Sequence, residues 1–147
     1  MAENYKDDEI RIRAAKREDM LAVAEMIQVQ TCEYFFNYNY LSGALVGYAL
    51  YFPTYSTWEG RSMMLEDLYV RTSQRRKGVG KKLFKAVAKE ASSTGCSRLD
   101  FHVLEWNPAR KFYEKKGAVN LTNKEQWCYY RLDGEALKAY LESMKYI

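Results

Sequence analysis

The chain has 147 residues, of which 48% are hydrophobic and 29% charged, with only two prolines and a formal net charge of +4. That length and apolar content suit one domain, residues 1–147, around one core, and exclude a disordered chain. The acidic residues are spread through the sequence and no long basic arm exists, so the mild basicity points to a solvated surface with one anion site rather than to a nucleic-acid binder.

In chain order, "EIRIRAA" (9–15) alternates and predicts a first strand. Residues 17–28 carry Met20, Leu21, Val23, Ala24 and Ile27 at helical spacing, with acidic residues at the front. "CEYFFNYNYL" (32–41) and "ALVGYALYF" (44–52) are rich in aromatic and β-branched residues, and Ser42-Gly43 between them predicts a hairpin turn. "RSMMLEDLYV" (61–70) reads as another strand. The helix after Gly80 places Leu83, Phe84, Val87, Ala88 and Ala91 on one stripe and ends at "GCS". "RLDFHVL" (98–104) alternates as a strand. Asn107 caps a helix over 108–117, with Pro108 in its first turn and Gly117 at its end. "QWCYYRLD" (126–133) predicts a last strand and "GEALKAYLESMKY" a last helix. Strand, helix, strand meander, helix, strand, helix, strand describes a mixed α/β domain.

No apolar run reaches membrane-span length, and the first ten residues, "MAENYKDDEI", lack the apolar core of a signal peptide, so an intracellular, cytoplasmic protein away from membranes is expected. Cys32, Cys96 and Cys128 are far apart. With the single histidine, His102, they make no zinc-site spacing, so they read as free thiols and no metal is expected. Most of the thirteen tyrosines alternate within strand-like runs, which fits a sheet better than a base-stacking platform.

The chemistry concentrates in "QRRKGVGKKLF" (74–84), between a predicted strand and a predicted helix. A P-loop requires glycine at 75 and Ser or Thr at 82, where this chain has Arg75 and Lys82. A dinucleotide fingerprint requires a small residue at 83, which is Leu83. What remains is R-x-x-G-x-G: Arg75, Gly78, Gly80. Glycines let successive N–H groups face one anion, the helix start adds a positive dipole end, and Arg75, Arg76 and Lys77 raise the potential. The turn fits a pyrophosphate.

That motif resembles the acetyl-CoA signature of the GNAT acetyltransferase superfamily. A second segment agrees in order: "NPARKFYEKKGA" (107–118), which ends in the superfamily's Phe-Tyr-x-x-x-Gly. "LEDLYV" (65–70), "EWN" (105–107) and "EQW" (125–127) are similar to the diamine (spermidine/spermine) acetyltransferase branch. "YSTWEGR" (55–61) is similar to its thialysine acetyltransferase members, polyamine-preferring relatives having Asp where this chain has Ser56.

The resemblance implies a central mixed, mostly antiparallel sheet flanked by helices, and a cytosolic homodimer that uses acetyl-CoA on a small primary amine. It implies that Arg75, Arg76, Lys77, Gly78, Val79, Gly80 and Lys81 form the pyrophosphate turn. Leu68, Tyr69 and Val70 would offer backbone groups to the pantetheine arm, and Asn107, Pro108, Ala109 and Arg110 would touch the coenzyme from the neighbouring helix. Glu66 becomes the general base, Asp67 its support and Tyr113 the general acid. Ser56, Trp58, Asp100, Phe101, His102 and Glu125 fall near the amine. From the residues alone, Glu66 and Asp67 are neighbours on a strand, so they face opposite ways unless a bulge intervenes. A protein-lysine acetyltransferase and a non-catalytic acyl-CoA-binding module stay open as alternatives. One departure stands out: after "AEMIQ" the family continues through a second helix and an acidic loop, whereas here "VQTCEYFF" follows almost at once.

Overall fold

The aromatic and β-branched runs in the middle of the chain become its longest strands. A computed structural model describes residues 11–27, 38–41, 44–126 and 128–144, and the chain divides into two units, Met1–His102 and Val103–Ile147. In the first unit, β1 (Arg11–Arg13), β2 (Tyr38–Leu41), β3 (Ala44–Ser56), β4 (Gly60–Val70) and β5 (Arg98–Phe101) make one sheet in that order. β1 to β4 pair antiparallel, and β5 lies parallel to β4. Helix α1 (Met20–Ile27) precedes β2, and helix α2 (Val79–Ser93) is the crossover that the parallel pair requires. The expected mixed, mostly antiparallel sheet with helices is observed. Residues 28–37, where the sequence departs from the family pattern, and the Ser42-Gly43 turn lie outside the described residues.

Two apolar clusters cover the sheet. Val87, Leu83, Val79 and Ala91 recur every fourth residue along α2 and pack with Ala49, Met63 and Leu65. Ala88, expected on this stripe, is exposed, because the stripe is centred on the Val79 row and Ala88 is turned away from it. On the other side, Val23 and Met26 of α1 pack with Leu45, Tyr48 and Leu50. β3 alternates between the clusters, sending Tyr48 and Leu50 to α1 and Ala49 to α2. The approach to α1 is a 3-10 turn, Arg17–Asp19. The buried Asp19 carboxylate there accepts from both Arg13 guanidinium nitrogens at 2.7 and 2.8 Å and from the Lys16 N–H at 2.7 Å.

In the second unit, α3 (Arg110–Glu114), α4 (Leu121–Glu125) and α5 (Gly134–Ser143) are joined by turns and irregular chain. The expected helix over 108–117 is regular only in its centre. Asn107 is not the cap of the observed helix, which starts after Ala109; its Oδ1 accepts from the Ala109 N–H at 2.9 Å in the turn before it. α4 is not marked by apolar periodicity. Asn120 starts it by accepting from the Thr122 N–H at 3.1 Å, and Gln126, at φ 56°, stops it. The expected strand over 126–133 does not form in the described residues 128–133. They join no ladder, and Tyr129 and Tyr130 are 73% and 87% exposed, so the segment that resembles a strand in sequence has no buried face here. β5 ends at Phe101, so residues 102–104 of the predicted strand lie outside the observed one.

Candidate active site

The register of β3 and β4 decides where the two acidic residues go. Leu50 pairs with Asp67, but the next residue, Tyr51, pairs with Leu65. Glu66 is therefore the extra residue of a β-bulge. The core records the same shift: Leu65 and Leu68 both pack in the α2 cluster, whereas Tyr69 packs in the α1 cluster. Alternation from either end then sends both Glu66 and Asp67 to the face opposite α2. The bulge that the sequence leaves open is present, and it puts two exposed carboxylates on one side of the strand. Asp67 Oδ2 accepts a hydrogen bond from the Tyr48 hydroxyl.

The same strand offers an edge. β5 pairs only with Ser62 to Leu65 of β4. From Glu66 to Val70, β4 has β3 on one side and, among the described residues of this unit, no strand on the other. Leu68, Tyr69 and Val70 thus lie where an extended acyl-amide arm could add as a strand. Close approach of β3 tightens this region: a Cβ on Gly47 would sit 2.5 Å from the Tyr69 carbonyl oxygen. Arg71 clamps the end of β4, its N–H donating to the Val46 carbonyl at 2.8 Å and its Nε to the Leu45 carbonyl at 2.7 Å.

The glycine turn follows directly. Thr72–Gln74 forms a 3-10 turn, and then Arg76 at φ 63° and Gly78 at φ 81° reverse the chain into α2. The first α-helical bond runs from the Lys82 N–H to the Gly78 carbonyl at 3.0 Å. The N–H groups of Val79, Gly80 and Lys81 thus precede the helical ladder, as a helix start requires. Arg76, Lys77 and Lys81 are exposed around them. Donors, dipole and charge fit a pyrophosphate. Arg75 is placed differently from its neighbours: its Nε donates to the Val70 carbonyl at 3.0 Å and its guanidinium lies 5.9 Å from the Tyr69 ring centre. It ties the turn to the strand end.

Of the remaining expected substrate residues of this unit, Asp100 and Phe101 pair with Met64 and Leu65, next to Glu66, whereas Ser56 and Trp58 lie at the far end of β4. Ser56 ends β3, and its Oγ accepts from the N–H groups of Trp58 and Glu59 at 3.3 and 3.2 Å, which shapes the hairpin tip. Trp58 is 93% exposed at that tip. Gly60, paired with Ser56, lies six positions along β4 from Glu66 (60 to 66), about 20 Å at strand rise. Asp100 accepts from Arg98 Nε at 2.8 Å, and Glu59 meets the same guanidinium at 2.7 Å. Arg98 is held above its ordinary pKa, first by its hydrogen bond to Glu59 and then by that to Asp100. Asp100 is therefore already matched by a cation. Phe101 packs its ring edge-on to Phe84 at 5.7 Å in the α2 cluster, and His102 is exposed beyond the end of β5. Within this unit, Glu66 and Asp67 stand together, Leu68 to Lys81 form a continuous stretch, and Ser56 with Trp58 stands apart. Tyr48 belongs with the first group. It carries no motif and reads in the sequence only as a strand aromatic, since it meets Asp67 solely through the β3–β4 register.

In the second unit, Tyr113 is half-buried on α3 with its ring 5.1 Å from Phe112 at 72°. Arg110 donates to the Glu105 carbonyl at 3.0 Å and lies 3.8 Å from Glu114. Pro108 and Ala109 form the turn into α3, and Glu125 closes α4. Among the described residues no group of three or more His, Cys, Asp or Glu side chains is arranged to hold a metal ion, and no helix is long and apolar enough to cross a membrane.

Comparison with known proteins bears on this arrangement. A thialysine N-epsilon-acetyltransferase of Bos taurus is 46% identical over 95 residues, which are 64% of this chain and 56% of that protein. A human spermidine/spermine N(1)-acetyltransferase-like protein 1 is 37% identical over 98 residues, 65% of this chain and 14% of that protein. The chain thus spans little more than half the length of the first relative, and less of the second. An integron cassette protein from V. cholerae shares the fold, with a TM-score of 0.76 at 22% identity over 90% of this chain and 98% of that one. Residues 3–118 match the model of the Acetyltransferase (GNAT) family, and the chain belongs to that family.

Proposed function

We propose that this chain transfers the acetyl group of acetyl-CoA directly to a small primary amine of the thialysine or diamine kind. The observation that carries this reading is the bulge at Glu66, which turns two carboxylates to one face beside a strand edge that leads into an anion-binding turn.

An alkylamine with a pKa of about 10.4 is neutral in roughly one molecule in 2,500 at pH 7. Deprotonation therefore costs about 4–5 kcal/mol and limits any transfer that lacks a base. Paired carboxylates attract the ammonium, and Glu66 accepts its proton directly or through a water. The freed nitrogen forms the C–N bond to the acetyl carbon as the C–S bond breaks, and it loses its second proton to solvent to leave the neutral amide. The Tyr113 hydroxyl gives its proton to the departing thiolate, and the tyrosine is restored from solvent. Backbone groups of Leu68 to Val70 hold the pantetheine arm, and the turn from Arg76 to Lys81 binds the pyrophosphate. Asn107 to Arg110 add contacts to the coenzyme. No covalent acetyl-enzyme is required.

The test is an acetylation assay with thialysine, short diamines, spermidine, spermine and lysine peptides, with release of CoA as the readout. Turnover of free amines is the expected result. Turnover of the peptides alone would make the chain a protein-lysine acetyltransferase, and acetyl-CoA binding with no acceptor would make it an acyl-CoA sensor. The resemblance extends to a cytosolic homodimer, which light scattering on the purified protein and microscopy of the tagged protein would test.

A further inference from the structure

Tyr48 is the buried member of the carboxylate face. It is 3% exposed and stacks on Tyr69 at 5.8 Å and 25°, within the cluster built by Val23 and Met26 of α1. Tyr48 pairs with Tyr69 across the ladder, so Asp67, two positions earlier on β4, is its diagonal neighbour. A tyrosine spans that diagonal, and its hydroxyl donates to Asp67 Oδ2.

We propose that Tyr48 is a positioning residue for the amine acceptor: its hydroxyl fixes the Asp67 carboxylate so that Asp67 anchors the ammonium while Glu66 takes the proton. This rests on the acetyltransferase reading above. The physical case has three parts. A ring locked in the core has no rotamer freedom left to lose, so it holds Asp67 before substrate arrives. A donor on an ionised carboxylate makes a charge-assisted bond, stronger than a neutral one. That bond reaches Asp67 and not Glu66, so the two neighbouring carboxylates differ in how firmly they are held. The one held by tyrosine suits anchoring, and the one on the bulge suits proton transfer.

Tyr48→Phe removes one oxygen and keeps the stacked ring. The expected result is an amine KM about tenfold higher, with kcat within about twofold, the acetyl-CoA Kd unchanged and Tm nearly unchanged. Asp67→Ala, a change on an exposed residue, should raise the amine KM at least as far, because the proposed role of the hydroxyl runs through that carboxylate. In the Asp67→Ala background, Tyr48→Phe should add less than twofold. The same factor in both backgrounds, or an unchanged KM in active Tyr48→Phe, would overturn the positioning role alone. A wild-type protein that binds acetyl-CoA yet acetylates no amine in the panel would overturn the acetyltransferase reading and this role with it.

Discussion

Leu65 and Leu68 lie three positions apart on one strand, yet both pack against α2. A regular strand would send them to opposite faces. The extra residue between Leu65 and Asp67 absorbs the mismatch, and that residue is Glu66. A bulge twists and bends its strand and re-aims a side chain. Here it brings Glu66 beside Asp67 at the point where β5 stops pairing with β4.

Glu66→Gln keeps the size and removes the base. If Glu66 accepts the ammonium proton, kcat for the preferred amine at pH 7 should fall about 10²–10⁴-fold. Acetyl-CoA affinity by calorimetry should stay within about twofold. Wild-type turnover in the variant, under conditions where chemistry limits the rate, would move the base elsewhere.

The central strands and the glycine turn were legible because local chemistry decides them. Aromatic and β-branched residues mark β3, and two glycines before an amphipathic stripe mark the turn at Gly78. The bulge was legible only as a possibility, since the residue that pairs with nothing is fixed by register with β3 and not by β4's own sequence. The same holds for Tyr48 and Asp67, nineteen positions apart. The failed strand over 128–133 shows the limit from the other side: β-like composition gives no ladder without a partner. Asp100 shows a further limit. Only the family resemblance puts it near the amine, and its ion pair with Arg98, two positions before it, is not read from the sequence.

Gly78→Asp tests the turn. Nothing lies within 4 Å of a Cβ built at Gly78, so the substitution is not opposed by a clash, but its φ of 81° disfavours any side chain. That strain costs about 1–2 kcal/mol. The larger effect is the carboxylate placed among Arg76, Lys77 and Lys81. Acetyl-CoA Kd should rise at least about tenfold, and added salt should reduce the difference between variant and wild type as the new repulsion is screened. An unchanged Kd in a folded variant would remove the pyrophosphate from this turn.

Gly47→Ala tests the strand contact beneath the coenzyme edge. The new methyl would meet the Tyr69 carbonyl oxygen at 2.5 Å and the Val70 Cα at 3.2 Å. Both are backbone atoms, so β3 and β4 must separate. Overpacking of this kind costs about 1–3 kcal/mol, read as a lower urea midpoint at unchanged slope. Acetyl-CoA affinity should fall as well, because the displaced carbonyl belongs to the stretch that would pair with the pantetheine arm. Unaltered stability would mean that this close approach does not exist in solution.

Tyr113→Phe tests the general acid. The ring stays, with its edge contact to Phe112 at 5.1 Å, so the packing of α3 is nearly conserved. What is lost is the proton donor proposed for the departing thiolate. A thiol has a pKa near 8.5 and a tyrosine about 10, so the donor is close enough in acidity to assist as negative charge builds on sulfur. The expected fall in kcat is at most about 10²–10⁴-fold, with the acetyl-CoA Kd and Tm near wild type. The loss should shrink with an acyl donor whose thiol is more acidic, since a better leaving group needs less help from the enzyme. A full-rate Tyr113→Phe enzyme, or a deficit independent of the leaving group, would reduce Tyr113 to a packing residue.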